Sequence, residues 1–511
     1  MRKLFTLLSL AAICISAQAN DYDFPTMSEP TCYNGKYAPL AAPTAISPNE
    51  KTVYQAGLFD QMTMIGNDIL EPIATSAFIS AVDYTQTTPQ WTVGITGAAH
   101  INLITATDDA VYVAGTYADD ITFGSKDMAT KTISGTSASH DYVNAFIAKY
   151  TSDGNLVAAE GILPHRNSEY ADKESYDTDL CIEPTAIQLF NGKIYISFNF
   201  LGGYSTEGIK VDGNLKSSYG FYDSRCCAVV SYDAASLTGA QKVLDLRNAE
   251  AINENGMCPQ SICLTADANN LYVASFLSGD NTLTIADKSQ SVNFAHNENE
   301  QVYGAVIVTI ANDGSFHATQ KAAAASDRAY VMNDIAWMKT DGSSLYIAGN
   351  VSTPLPFDDT LVPDLWTDQF AACLSTTDYS CTWADITGAK KADMATANEK
   401  YRKSISASLN GDALTVIGTA NFTCSSTGLT PAYTESTCLG IASTASVSAV
   451  TTKTNDGCAL SVTKKDLTGI EAVAPNEGKE GKAAFDLSGR NIASPAKGQI
   501  FINSNKKIIA Q

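Results

Sequence analysis

The sequence predicts an all-β fold, a six-bladed β-propeller, from three observations. A β-strand motif recurs six times, and its successive copies begin 58, 83, 77, 74 and 69 residues apart. Internal repeats of this size are typical of propellers and solenoids. Turn-forming residues precede each copy, and no long stretch has helical periodicity. The copies lie at 53–57, 111–115, 194–198, 271–275, 345–349 and 414–418. A seven-bladed ring is the alternative, because residues 20–42 belong to no copy.

Each copy is the second strand of a predicted four-stranded unit. The first strands are predicted at 45–46, 103–104, 186–187, 262–264, 335–337 and 405. Tight turns such as Asn191-Gly192 and Asp341-Gly342 lead into the second strands, because these pairs tolerate the positive φ of a short hairpin. The third strands are predicted at 77–79, 145–148, 228–230, 305–308, 370–373 and 439–441. The fourth strands are predicted at 91–93, 156–157, 243–244, 316–317, 383–384 and 460–462.

One unit also resembles a known repeat. Residues 112–115 read Tyr-Val-Ala-Gly, and residues 145–155 read Ala-Phe-Ile-Ala-Lys-Tyr-Thr-Ser-Asp-Gly-Asn. This pattern is similar to the bacterial propeller repeat called SBBP. The resemblance implies propeller architecture for residues 43–466 and brings no catalytic residue with it.

The N-terminus has the pattern of a secretory signal peptide, residues 1–19. Arg2 and Lys3 precede an apolar stretch at 4–15, and Ala17-Gln18-Ala19 forms a small-residue cleavage site. We therefore expect an exported protein, in the periplasm, on the outer-membrane surface or outside the cell. No later apolar run reaches the length of a transmembrane segment.

The composition excludes one class of partner and permits disulfides. The formal net charge of −21 argues against nucleic acid, whose phosphates require clustered Lys and Arg. Twelve cysteines occur, and removal of the signal peptide with Cys14 leaves eleven. Export permits disulfides. The predicted pairs are Cys258 with Cys263 and Cys424 with Cys438, and the alternative is that these side chains are small buried hydrophobes.

The predicted units are asymmetric, because their long connections all fall at one end. Connections between second and third strands, and between units, hold the insertions, whereas the other turns are tight. Because loops on a rigid scaffold commonly carry binding, we expect a glycan, a protein or a surface partner at this end. The insertions are 118–141, 162–182, 201–225, 247–260, 278–301, 352–369, 388–403 and 422–437.

Two sets of residues in these insertions are candidates for ligand binding. The aromatic residues suit stacking against sugar rings, with anchoring of the loop as the alternative. They are Tyr204, Tyr219, Phe221, Tyr222 and Trp366. The acidic residues could bind Ca²⁺, with a solvated acidic loop as the alternative, and no other cofactor is expected. They are Asp172, Glu174, Asp177 and Asp179.

The predicted function is therefore non-catalytic binding, and a propeller glycosidase of sialidase type is the alternative. Residues 376–383 resemble one degenerate Asp-box of the sialidases, a structural motif. That resemblance implies three arginines that clamp a carboxylate, for which Arg166, Arg328 and Arg402 are the candidates. The five histidines are scattered, and neither a Gly-x-Ser-x-Gly elbow nor a phosphate-binding loop occurs.

A charged linker at 467–482 separates the predicted propeller from a C-terminal tail at 483–511. The tail contains Asp486-Leu487-Ser488-Gly489-Arg490, a Lys-Gly segment at 497–502 and a basic strand at 506–509. These segments resemble the end of the C-terminal sorting domain of the bacterial type IX secretion system. The resemblance implies export with possible attachment to the cell surface. The alternative is a small β appendage without a sorting role.

Overall fold

The computed structural model describes residues 44–386 and, outside that range, strands between residues 32 and 509. Within 44–386 the residues outside the description are 49–51, 60–61, 66, 84–88, 136–143, 167–181, 203–205, 212–213, 219–223, 249–261, 279, 286–287, 295, 298–299, 327–332, 360 and 362–367. The chain divides into two compact units, Met1–Thr463 and Lys464–Gln511.

All described secondary structure is β, and every described strand pair is antiparallel. The strands from the N-terminus through the first two predicted blades are β1 Cys32–Tyr33, β2 Lys36–Tyr37, β3 Thr44–Ile46, β4 Thr52–Phe59, β5 Thr63–Ile65, β6 Asp68–Leu70, β7 Ser76–Asp83, β8 Trp91–Thr96, β9 Ala99–Ala106, β10 Ala110–Tyr117, β11 Ile121–Phe123, β12 Lys131–Ile133, β13 Asn144–Thr151 and β14 Leu156–Arg166. The next two predicted blades contain β15 Ile182–Phe190, β16 Lys193–Gly202, β17 Thr206–Val211, β18 Asn214–Ser218, β19 Ser224–Asp233, β20 Gln241–Asn248, β21 Ile262–Ala266, β22 Asn270–Ser278, β23 Asp280–Ile285, β24 Lys288–Asn293, β25 His296–Asn297, β26 Glu300–Ala311 and β27 Phe316–Ser326. The remaining strands of the first unit are β28 Asp334–Thr340, β29 Ser344–Val351, β30 Asp368–Ser375, β31 Cys381–Ile386, β32 Arg402–Asn410, β33 Ala413–Ser425, β34 Gly428–Leu439, β35 Val450–Thr451, β36 Lys453–Thr454 and β37 Gly457–Cys458.

Six four-stranded meanders follow one another, and we name them repeats 1 to 6. In chain order they are β3-β4-β7-β8, β9-β10-β13-β14, β15-β16-β19-β20, β21-β22-β26-β27, β28-β29-β30-β31 and β32-β33-β34-β35. The recurring motif is the second strand of each repeat, as the sequence predicts.

The prediction of the strands is wrong in the second half of repeat 6. The third strand is Gly428–Leu439, not 439–441, and its partner is Val450–Thr451, not 460–462. The predicted insertion at 422–437 is therefore largely a long hairpin of β33 and β34. Alternating Thr and apolar residues in that segment are typical of a strand, and its length resembled that of the other insertions.

The first strands of consecutive repeats lie next to one another. In turn, β3 contacts β9, β9 contacts β15, β15 contacts β21, β21 contacts β28 and β28 contacts β32. The buried side chains form clusters that cross the repeat boundaries, for example Trp91 of repeat 1 with Tyr150 of repeat 2. Each sheet thus buries its faces against its neighbours, which is the packing of β-propeller blades.

Three insertions that the sequence presents as loops are hairpins. In each, the first hairpin strand pairs with the fourth strand of the preceding repeat, so the sheets of repeats 1, 2 and 3 become six-stranded. The pairings are β11 with β8, β17 with β14 and β23 with β20. Each of these sheets therefore contains strands from two repeats.

A β-bulge in the first strand explains the glycine of the recurring motif. The register of the first two strands shifts by one residue at Asn102 and at Ala336. A Cβ added to Gly115 would lie 1.9 Å from the carbonyl oxygen of His100. One added to Gly349 would lie 2.0 Å from that of Asp334. In repeats 2 and 5 the first strand thus lies too close to the second for a Cβ at Gly115 or Gly349, whereas repeat 3 carries Phe198 at the equivalent position beside its own bulge.

The second unit contains a four-stranded sheet of order β39-β38-β40-β41. Its strands are β38 Ala484–Phe485, β39 Asn491–Ile492, β40 Ile500–Asn503 and β41 Lys506–Ile509. Strand β41 coincides with the predicted basic strand at 506–509 and β40 overlaps the Lys-Gly segment at 497–502, whereas β38 and β39 flank residues 486–490.

Candidate functional site

The two kinds of tight turn lie together at one end of the repeats, which we name the turn end. In repeats 2 to 5 a backbone N–H of the third-to-fourth turn donates to a carbonyl of the first-to-second turn. The bonds are Ser152 to Asp109, Ala234 to Gly192, Asn312 to Asn269 and Thr376 to Ser343, at 2.8–3.0 Å. The opposite end, where the long connections lie, is named the insertion end.

The aspartates of the turn end are occupied in forming the turns. Asp313 Oδ1 accepts from the Ser315 N–H at 2.9 Å and from the Ser315 hydroxyl at 2.6 Å. Asp378 accepts likewise from the backbone and hydroxyl of Ser380. These hydrogen bonds, the side-chain bond first, lower the pKa of each carboxyl. The presence of these aspartates at the turn end is thus explained by their part in forming the turns.

Side chains at the turn end also join neighbouring repeats. Trp91 of repeat 1 donates to the Ser152 carbonyl of repeat 2. Tyr112 of repeat 2 donates to the Ala234 carbonyl of repeat 3 at 2.7 Å. Tyr379, in the Asp-box-like turn of repeat 5, is buried and bonds to Thr309 of repeat 4. This end holds the repeats together.

At the insertion end, an ionisable residue occupies the same position in four first strands, just before the bulge. Each is the cross-strand partner of a polar residue that follows the recurring motif. The pairs are His100 with Thr116, Glu183 with Asn199, Asp334 with Asn350 and Lys403 with Thr419. Because the first strands are neighbours, these positions line the insertion end of successive repeats, and we take them as the candidate site.

The candidate site is most elaborate in repeat 5. Asp334 Oδ1 accepts from the backbone and side-chain amides of Asn350. The buried Asn333 accepts from the Ser352 N–H at 2.7 Å and donates to the Thr353 hydroxyl at 2.8 Å. A fully bonded network of this kind fixes the positions of its members.

In repeats 2 and 3 the site combines an imidazole, an amide and hydroxyls. Burial lowers the pKa of His100 to about 4, so its imidazole is neutral at pH 7. The bulged Asn102 has a buried Oδ1 with no hydrogen-bond partner among the described residues. The bulged Thr185 donates to the Ile262 carbonyl of repeat 4 at 2.8 Å. These groups supply hydrogen-bond donors and acceptors.

Most predicted site residues lie outside the described residues. These are Asp172, Glu174, Asp177, Asp179, Tyr204, Tyr219, Phe221, Tyr222, Cys258, Arg328 and Trp366. Of the other two arginines, Arg166 ends the fourth strand β14 opposite Thr206, whereas Arg402 begins the first strand β32.

The predicted disulfide between Cys424 and Cys438 is wrong. Cys424 lies opposite Leu429 near the tip of the β33–β34 hairpin, and Cys438 lies opposite Thr415. Nine strand positions separate 415 from 424, or about 30 Å. A disulfide joins Cα atoms about 4.4–6.8 Å apart. The segment between the cysteines forms two paired strands instead of a loop.

The other predicted pair is not formed either. Cys263 is a free, buried thiol on β21, and burial raises its pKa to about 12. It packs in the core formed by repeats 3 to 5, as expected for the alternative of a small buried hydrophobe.

Sequence reasoning missed the residues before the bulge, although a signal for them exists. In four repeats an ionisable residue stands fifteen positions before the last residue of the recurring motif. The pairs are His100 and Gly115, Glu183 and Phe198, Asp334 and Gly349, and Lys403 and Gly418. Alignment of the repeats on the motif would have shown these four ionisable residues at one shared position.

Two kinds of feature are absent from the described part of the chain. It contains no cluster of three or more His, Cys, Asp or Glu placed to hold a metal ion. Nor does it contain a helix with the length and apolarity needed to cross a bilayer.

The chain is similar to solved structures, although not to family models or curated proteins. No family model matches the chain, and no curated protein gives a significant match. A solved structure titled "Structure of Dos1 propeller" matches 63% of this chain and 90% of its own, with 11% identity and a TM-score of 0.22. A likeness at this level bears on neither ligand nor chemistry.

Proposed function

We propose that the first unit is an exported, non-catalytic six-bladed propeller that binds a glycan at its insertion end. One observation carries the proposal, namely the contrast between the two ends. Many hydrogen-bonding groups of the turn end are engaged in turns and in contacts between repeats, as with Asp313 and Ser315 and with Tyr112 and Ala234. The insertions and the ionisable residues of the candidate site lie at the insertion end, where binding is expected.

The chemistry of the candidate site favours a glycan. Pairs of a carboxylate and an amide, Glu183 with Asn199 and Asp334 with Asn350, suit the neighbouring hydroxyl groups of a sugar. Aromatic residues in the insertions of the same end, including Tyr219, Phe221 and Trp366, supply faces for stacking. The net charge of −21 favours a neutral or cationic glycan.

A glycan array tests the proposal with purified residues 20–511. We expect binding to a defined set of glycans, weakened at least tenfold in Glu183→Gln and in the triple variant Tyr219→Ala, Phe221→Ala, Tyr222→Ala. Asp313→Asn at the turn end is the matched control and should bind as the wild type does. An array that shows no binding contradicts the proposal that the protein binds a glycan.

A second assay addresses catalysis. We expect no release of fluorophore from fluorogenic sialosides or other glycosides. Release that is lost in Arg402→Ala would favour the sialidase-type glycosidase over pure binding.

Export and surface attachment belong to the same proposal. The signal-like residues 1–19 and the sorting-like tail at 483–511 support it. Fractionation of cells that produce the full chain or a chain truncated at 482 tests the role of the tail. Surface exposure that persists in the truncated chain contradicts sorting by the tail.

A further inference from the structure

The hairpin β5–β6 of repeat 1 corresponds to the three hairpins that extend a neighbouring sheet. It begins at Thr63, four residues after the second strand ends at Phe59. The hairpins of repeats 2 and 3 also begin four residues after their second strands, at Ile121 and Thr206. Equal spacing indicates the same element of the repeat.

The hairpin also packs on its own repeat as the hairpin of repeat 2 does. Leu70 clusters with Phe78 of the third strand, as Phe123 contacts Phe146. Gly94 is the cross-strand partner of Phe78, and Gly161 is that of Phe146. A Cβ added to Gly94 would lie 3.6 Å from Leu70, and one added to Gly161 would lie 3.7 Å from Ile133. The inner face of β5–β6 is therefore positioned to extend the sheet of a preceding repeat.

The edge of β5 is nevertheless open, because in the described part of the chain β5 pairs with β6 alone. A two-stranded hairpin with no further strand is marginally stable in water. Its other face is apolar, because the side chain of Ile69 is 64% exposed. The flanking side chains of Met62 and Ile73 are 68% and 69% exposed, respectively. The residues equivalent to Ile69 in the hairpins of repeats 2 and 4 are Thr132 and Ser289.

A separate observation places the N-terminal strand β1 next to repeat 6. Strand β1 contacts β34, the third strand of repeat 6. Its partner β2 ends at Tyr37, and β3 of repeat 1 begins at Thr44. Seven residues reach at most about 25 Å. The first strand of repeat 1 therefore begins within about 25 Å of β2, whose partner β1 contacts repeat 6.

We infer that hairpin β5–β6 is the clasp that closes the propeller. Strand β5 pairs with the fourth strand of repeat 6, Val450–Thr451, as β11, β17 and β23 pair with the repeats before them. The hairpin then becomes part of a six-stranded sheet. The inference rests on the six-bladed ring of the proposed function and assigns its closing contact.

The backbone of Met64 reports on this pairing. Ile65 and Asp68 flank a two-residue turn, so they exchange backbone hydrogen bonds and the N–H of Met64 faces away from β6. Hairpin β23–β24 has the same geometry, with Ile285 opposite Lys288. There the N–H of Thr284 faces β20, whereas that of Ser289 faces the open side of β24.

Residue-resolved amide exchange on the wild type tests the clasp. We expect the Met64 amide to exchange at least tenfold more slowly than the Ser289 amide and at a rate near that of Thr284. An amide that exchanges as fast as Ser289 overturns the clasp. That result would not affect the proposed glycan binding, because the glycan array measures binding by the wild type independently of amide exchange.

Proline substitutions give a second test. Met64→Pro should lower Tm by several degrees, as Thr284→Pro should, and should speed exchange at 450–451, whereas Ser289→Pro should change neither. If Met64→Pro does not fold, the wild-type exchange decides. A wild type that sediments as a dimer, with Met64→Pro monomeric, would assign the β5 edge to a second copy and overturn the intramolecular clasp.

Discussion

The indole N–H of Trp91 donates a 2.8 Å hydrogen bond to the carbonyl oxygen of Ser152, which belongs to the next repeat. The same indole lies against Gly154, so that a Cβ added there would be 2.6 Å from the ring. One buried side chain thus fixes a tight turn of repeat 2 on the last strand of repeat 1.

This contact predicts unequal effects of the same substitution in two repeats. Gly154 and Gly314 occupy equivalent turns at φ of 88° and 80°, but nothing lies within 4 Å of a Cβ at Gly314. Gly314→Ala should therefore cost only backbone strain, about 1–2 kcal/mol. Gly154→Ala should cost about 1–3 kcal/mol more, because Trp91 must move. Urea unfolding measures both, and equal losses would contradict the contact.

The bulge predicts a second pair of results. Gly349→Ala should destabilise strongly, by about 3 kcal/mol or more, because its Cβ would meet the carbonyl of Asp334. Gly94→Ala is the matched control, since its Cβ would make only ordinary contacts at 3.6 Å with Leu70 and Phe59. We expect Gly94→Ala to be neutral within about 0.5 kcal/mol. Thermal unfolding separates the two variants, and tolerance of Gly349→Ala would argue against the bulge.

His100 predicts a pH dependence of stability. Burial lowers its folded-state pKa to about 4, below the ordinary value of 6.5, so the unfolded chain binds more protons between these values. The stability from neutral His100 is complete above pH 6.5 and is lost as the pH falls towards 4. Between pH 7 and pH 5 the wild type should lose about 1–2 kcal/mol more than His100→Gln. Parallel pH profiles for the two proteins would refute burial of a neutral imidazole.

A double-mutant cycle tests the junction of repeats 2 and 3. The Ala234 carbonyl accepts from the Tyr112 hydroxyl and from Lys149 Nζ, at 2.7 and 2.9 Å, and Lys149 also lies over the Tyr112 ring. Because the two donors share one acceptor, Tyr112→Phe and Lys149→Met should not be additive. We expect each to cost about 1 kcal/mol and their coupling to reach about 0.5 kcal/mol or more. Strict additivity in chemical denaturation would mean that the donors act independently.

The repeat motif was sufficient to predict the strands of repeats 1 to 5, because its periodicity and turn residues are local properties. Gly192 and Gly314, at positive φ, mark turns that the sequence alone identifies. The hairpin insertions were not predicted, because their strands are short and their partners lie in another repeat. The pairing of Thr122 with Thr96 is an example, since neither residue carries a signal for the other.

Prediction of the site was less successful for a similar reason. Aromatic and acidic residues in the insertions stand out in a sequence, whereas Glu183 and Asp334 stand out only after the repeats are aligned. The cysteine pairs were inferred from separation along the chain, which does not determine register. Once β33 and β34 pair, Cys438 faces Thr415 and lies far from Cys424.

The sharing of sheets between successive repeats also determines where this chain can be divided. A fragment cut between a fourth strand and the next first strand would leave a bare sheet edge on one side and a hairpin without its partner on the other. A cut after a hairpin would instead separate the second strand of a repeat from its third, so every single cut between β3 and β24 breaks at least one six-stranded sheet.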